Sequence, residues 1–250
     1  MVPGDVDRYG REVDRRLRDV LGDRLVGTWF VGSVALGGYR PGPSDVDVAV
    51  VVSAELRPGE AERIAAVVSH AELTCPARKL ELVAHPMAGV GPSAPPGGAP
   101  PLFNLGTGPG LEDHLEVGGD LPPVFWFVID RAVAHRSGIT ISGPPAAEVV
   151  AEPARSDVLE AMLDSARWHR SVAGADRDAV LNGARAWRFA VTDVLGTKLD
   201  GAAWAHSHTA HAEVVAVAAD ADADAPFTLQ RHELDGFLDE VEGALRAELE

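Results

Sequence analysis

A chain of 250 residues, 46% hydrophobic and 24% charged, has the composition of an ordinary globular protein and can build one large core or two smaller ones. Its net charge of −16 argues against a nucleic-acid backbone as partner and suits a cationic substrate. The single cysteine, Cys75, excludes an internal disulfide or a thiolate metal cluster. No apolar run approaches the roughly 20 residues that span a bilayer, and the Met1–Asp5 start lacks the blocks of a signal peptide. The expectation is a cytoplasmic monomer with no membrane partner.

Val6, Tyr9, Val13, Leu17 and Leu21 recur at helical spacing and predict an amphipathic helix over 5–22. Leu25 to Phe30 reads as a strand ended by Gly32, and Asp45 to Ser53 as a second, Val-rich strand. Arg57 to His70 reads as a helix and Lys79 to Ala84 as a third strand. Residues 86–101 hold six prolines and four glycines, which suit a long loop. Val124 to Ile129 has strand composition, with Trp126 between Phe125 and Phe127 as core, and Arg131 to Arg136 reads as a helix. Gly143-Pro144-Pro145 breaks the pattern.

Past residue 150 the periodicity becomes helical throughout. Ser156 is a candidate N-cap for a helix carrying Val158, Leu159, Met162, Leu163 and Ala166 inward. A second helix, near 176–195, aligns Val180, Ala184, Trp187 and Val191 and closes at Gly196. A third starts after Asp200, and the last carries Leu234, Phe237, Leu238, Val241 and Leu245. The acidic run from Asp220 to Asp224 reads as a solvated loop. The predicted organisation is an α/β (α+β) domain over 1–150 followed by an all-α helical domain over 151–250.

The chemistry concentrates in Val31-Gly32-Ser33-Val34-Ala35-Leu36-Gly37-Gly38-Tyr39 and Ser44-Asp45-Val46-Asp47-Val48. On a strand, residues two apart point to the same side. Asp45 and Asp47 therefore project together while Val46 and Val48 face a core. Two parallel carboxylates repel and lose solvation unless a divalent cation sits between them, and Mg²⁺ takes a few carboxylates together with phosphate oxygens. Gly32 lets the backbone approach a phosphate, Ser33 offers a hydroxyl and an N–H, and a helix beginning there would add its N-terminal dipole. Glu81 alternates with Leu80 and Leu82, which places a third carboxylate on the face opposite the leucines.

A strand, Gly-Ser, eleven residues and then Asp-x-Asp opening a second strand resembles the nucleotidyltransferase superfamily typified by DNA polymerase β. Gly37-Gly38-Tyr39, Arg185-Ala186-Trp187, Lys198 and Ala203-Trp204-Ala205 make the chain similar to the aminoglycoside 3″-adenylyltransferases, which also confer spectinomycin resistance. The likeness runs from about 25 to 205. It implies a nucleotidyltransferase domain with a mixed sheet, then a helical bundle, with ATP and substrate in the cleft between. It implies that Asp45, Asp47 and Glu81 are the catalytic and Mg²⁺-binding carboxylates, with Glu81 as general base. It further implies that Gly32, Ser33, Ser44, Arg185 and Lys198 serve the nucleotide. Arg185 flanks the apolar helix face and Lys198 follows Gly196, so both cations are placed to reach out. The implied partners are ATP and a small hydroxylated, cationic acceptor rather than nucleic acid.

The acceptor is less closely specified. Streptomycin-using relatives carry a tryptophan after the third strand, where this chain reads Phe103-Asn104-Leu105-Gly106-Thr107-Gly108. They also carry an aspartate ahead of the Arg-bearing helix, where it reads Ser171-Val172-Ala173-Gly174-Ala175-Asp176. Asp176 and Asp178 are the candidates for binding an amine. Spectinomycin, another aminocyclitol and a non-antibiotic metabolite stay open, as do a protein or tRNA acceptor and a catalytically silent nucleotide-binding regulator. His206, His208 and His211 lack the spacing of a zinc site and read as surface residues, while His85 and His114 read as structural or loop residues. Cys75 has no evident base partner and reads as inert.

Overall fold

The computed structural model describes every residue except 96, 97, 119, 120, 222–224 and 226. The chain divides into two compact units, Met1–Ala154 and Arg155–Glu250. In the first, α1 (Gly4–Leu21) buries the stripe from Val6 to Leu21 that its spacing predicts. Then follow β1 (Leu25–Phe30), the single turn α2 (Gly32–Ala35), β2 (Val46–Val52), α3 (Glu60–Val68) and β3 (Leu80–Pro86). Next come α4 (Met87–Val90), β4 (Phe103–Thr107), β5 (His114–Glu116), α5 (Val124–Ser137), β6 (Ile139–Ser142) and α6 (Ala146–Val149).

The six strands form one sheet in the order β5-β4-β3-β2-β1-β6. Only β2 and β3 pair in parallel; the other neighbours are antiparallel, so the sheet is mixed. The β2–α3–β3 crossover is what makes that parallel pair possible. Val46, Val48, Val50 and Val52 point to one face, where they meet Leu80, Leu82 and residues of α1 and α3. The opposite face packs Trp29 and Val51 against Val90 of α4 and Ala146 and Val149 of α6. A strand buried on both faces reads as a nearly continuous apolar run, as Val-Asp-Val-Ala-Val-Val-Val does.

Several expectations need correction. The segment from Val124 to Ile129 is helix, merged with the next into α5. Its aromatic and β-branched residues have strand propensity, but Phe125, Phe127, Val128 and Ile129 are all buried, so the helix shows no polar face to set the period. Pro123 fixes the entry to the helix. The 86–101 stretch contains α4, although residues 96 and 97 lie outside the described ones. Phe103–Thr107, the segment after the third strand to which no element was assigned, is strand β4, and His114 opens β5.

The second unit contains α7 (Arg155–Ser171), α8 (Asp176–Thr192), α9 (Lys198–His206), α10 (Ala212–Asp220) and α11 (Arg231–Ala247). Ser156 lies inside the first turn of α7 rather than capping it. Asp193, in the left-handed region at φ 57°, closes α8 in place of Gly196. The third helix begins at Lys198 rather than after Asp200, because Thr197 and Asp200 form a reciprocal capping box. Phe189, Phe237, Leu159 and Met162 are fully buried in this unit, whereas Val191 is exposed and Trp187 only half-buried. Of the acidic run, Asp220 ends α10 and residues 222–224 lie outside the described ones.

Candidate active site

The register between β2 and β3 sets the site. Val46 pairs with Leu80 and Asp47 with Glu81. Residues directly paired across a ladder share a face, so the Asp47 and Glu81 carboxylates stand side by side while their apolar neighbours enter the core. Asp45 joins them from the residue before β2. One carboxylate oxygen from each of Asp45, Asp47 and Glu81 lies within 4.8 Å of the others. All three are partly buried.

The turn between β1 and α2 presses on this cluster. Gly32 takes φ 53°, and a side chain there would overlap Asp47 Oδ2. The Val31 N–H donates to Asp47 O at 3.0 Å, and the Ser33 N–H hydrogen-bonds the Asp47 carboxylate. The glycine therefore makes room for the aspartate rather than leaving space for a phosphate, and the Ser33 amide is spent on Asp47. Only the Ser33 hydroxyl remains to offer: its Oγ is buried without a partner. The helix after the turn is four residues long and adds no useful dipole. Ser44 closes its own turn, accepting the Arg40 N–H at 2.9 Å.

Asp47 keeps some solvent contact, yet burial within the turn, then Glu81 and then Asp45 push its pKa up to about 7. Lys79 and the Ser33 amide oppose that shift without cancelling it. Arg78 donates to both oxygens of Asp45 at 2.8 Å, and Lys79 Nζ lies 2.7 Å from Glu81 and 3.9 Å from Asp45. These two cations were missed at the sequence level; their position three and two residues before Glu81 was the available signal. Three convergent carboxylates, one of them holding its proton near neutrality, suit a divalent cation, and the orphaned Ser33 hydroxyl suits a phosphate oxygen. Behind the carboxylates a cavity of about 30 Å³ is lined by Val83, His85, Val90 and Val150, room for a water or two. Burial first, then Arg131, holds the His85 pKa down to about 3, so it stays neutral there, a structural residue.

The predicted cationic residues lie in the second unit. Lys198 opens α9 and its Nζ sits 2.7 Å from Asp178 Oδ1 of α8, so it does not extend freely. Burial works against ionisation of Asp178, but the Lys198 cation prevails and its pKa is lowered. Asp176 accepts the Leu229 N–H at 2.9 Å and so anchors the segment before α11. Arg185 donates to Asn182 Oδ1 at 3.0 Å, and Asn182 Nδ2 lies 3.2 Å from His169 Nε2. Arginine only donates, so the Asn182 oxygen faces Arg185 and its NH₂ faces His169. His169 Nε2 must then accept, which leaves Nδ1 to donate to Ser165 O at 2.8 Å. Sequence reasoning missed this chain, because Asn182 and His169 are 13 residues apart. His208 stacks on Trp204 with ring centroids 4.0 Å apart, and His211 lies 3.9 Å from Glu240; neither joins a metal cluster among the described residues.

Residues 14–84, which span β1, the Gly32-Ser33 turn and all three carboxylates, match the family described as "Nucleotidyltransferase domain". The first unit carries a nucleotidyltransferase domain. The chain is 26% identical over 212 residues to spectinomycin 9-adenylyltransferases of Staphylococcus aureus strains Mu50 and N315, covering 82% of this chain and 80% of each relative. In fold it is similar to a solved spectinomycin adenyltransferase from "Enterococcus faecialis", crystallised with ATP and spectinomycin. The TM-score is 0.72 at 20% identity, over 96% of this chain and 98% of that one. No helix among the described residues is long and apolar enough to cross a membrane.

Proposed function

We propose that this nucleotidyltransferase moves AMP from ATP onto a hydroxyl of a small cationic aminocyclitol, with spectinomycin the leading candidate. The convergence of Asp45, Asp47 and Glu81 within 4.8 Å, beside the unpartnered Ser33 hydroxyl, carries the reading. The acceptor oxygen forms its bond to the α-phosphorus, the bond to the pyrophosphate oxygen breaks, and the hydroxyl proton passes to Glu81. Mg²⁺, when bound, neutralises charge on the transferring and leaving oxygens.

Each residue then has one task. Asp45 and Asp47 hold the metal, and Gly32 keeps Asp47 pressed against the turn. Ser33 donates its hydroxyl to a phosphate oxygen, and Ser44 fixes the loop that presents Asp45. The absence of a tryptophan from 103–108 favours spectinomycin over streptomycin as the acceptor.

The test is pyrophosphate release with Mg-ATP across a panel of aminocyclitols and aminoglycosides, with Asp47→Asn as blank and mass spectrometry for the AMP adduct. Release that requires one acceptor and Asp47 is expected. Equal release without any acceptor, or from Asp47→Asn, would remove the assignment. Glu81→Gln should lower kcat by about 10²- to 10⁴-fold, the usual contribution of a general base; full turnover would give that role to another group.

A further inference from the structure

We propose that the acceptor binds over β4 and β5, with His114 as the side chain it meets beside Glu81 and Glu116 as the partner of its ammonium group. The inference rests on the proposed reaction and extends it to the acceptor's side of the site.

The sheet register lays out a row. Asp47 pairs with Glu81, Glu81 with Gly106, and Gly106 with His114. Directly paired positions share a face, so all four stand on the face that carries the carboxylates. Gly106 contributes no side chain, and the His114 ring fills its place: a Cβ on Gly106 would overlap His114 Cε1 and lie 2.6 Å from Nε2. Glu81 therefore has the metal-holding Asp47 on one side and an imidazole leaning toward it on the other. A metal and its triphosphate use the Asp47 side, which leaves the β4–β5 side for a hydroxyl approaching the base.

Two residues along β5, on the same face, stands Glu116. Its Oε2 accepts from Asn104 Nδ2 at 2.6 Å, which fixes the carboxylate in place. Asn104 is 3% exposed, and its Oδ1 is buried without a partner. This face thus offers an exposed imidazole one strand beyond Gly106 from the base and, two residues further along β5, an oriented carboxylate. Such a set fits a compact ring that bears hydroxyls and an amine.

Steady-state kinetics on the full chain test this, with spectinomycin and Mg-ATP varied in turn. His114→Ala and Glu116→Gln should each raise the KM for spectinomycin by about tenfold, the loss of one or two hydrogen bonds to a charged or polar ligand, and leave the KM for Mg-ATP unchanged. His114→Asn, which keeps a donor and an acceptor, should recover part of the loss. Melting temperature serves as the check on folding; exposed His114 should barely move it. Unchanged spectinomycin KM in both variants, or equal rises for both substrates, would overturn the subsite while leaving the reaction itself standing. If the wild type modifies no aminocyclitol, the proposed function and this inference fall together.

Discussion

At Asp47 the ordinary behaviour of an aspartate is reversed. Its folded pKa, about 7, lies above the 3.8 of a free side chain. Between those values the folded protein holds a proton that the unfolded chain has released, so metal-free stability falls as pH rises from about 4 to about 7. A divalent cation should restore it. The expected result is a melting temperature that drops over that window without Mg²⁺ and climbs on adding Mg²⁺ at pH 8. Asp47→Asn should flatten both responses, and a wild-type response in that variant would show that another carboxylate titrates. Gly32→Ala attacks the same contact: a methyl group at φ 53° overlaps Asp47 Oδ2. Backbone strain there costs about 1–2 kcal/mol. Metal affinity, read by calorimetry, should fall by more than the modest loss of stability suggests, because the carboxylate itself must move. The Asp-x-Asp pair and Glu81 were legible from alternation alone. What Gly32 does was not, since it depends on where Asp47 sits across the turn.

Among the elements, α8 and α9 approach so closely that Gly201 is required. A Cβ there would lie 2.6 Å from the Arg185 N and Cα. Gly201→Val should therefore push α9 away from α8, with a loss of stability typical of overpacking, about 1–3 kcal/mol. It should also disturb the backbone that carries Arg185. Urea unfolding would measure the loss; a variant as stable as the wild type would mean the two helices can separate without penalty. Amphipathic elements such as α1 and α11 were readable because one side of each stays wet. α5 was misread because apolar residues follow one another from Val124 to Ile129, and an unbroken apolar run carries no period. β4 and β5 were missed for a different reason: they are short, polar in part and interrupted by Gly106, and only the neighbouring strands define them.

Across the whole molecule, charge and division matter most. A net charge of −16 would draw the proposed cationic acceptor in from solution. The kcat/KM for such an acceptor should fall as salt rises from low ionic strength past the point where the Debye length shrinks to about 8 Å, whereas a neutral acceptor should show little change. Each unit also carries its own core, with Trp29 and Phe103 in the first and Phe189 and Phe237 in the second. Residues 155–250 expressed alone should therefore give a cooperatively melting helical protein; a spectrum without helix would show that its core does not suffice.

The pairing of Asp47 with Glu81 has a consequence for quality control. A slip of β2 by one residue would turn Asp47 into the Val–Leu core and move Val46 and Val48 to the face that carries the carboxylates. The same error that dismantles the catalytic row would thus unmake the hydrophobic layer. A cell would therefore meet few well-folded but inert copies of this chain: a mis-threaded one buries an aspartate among valines and leucines, loses stability and becomes a substrate for proteases.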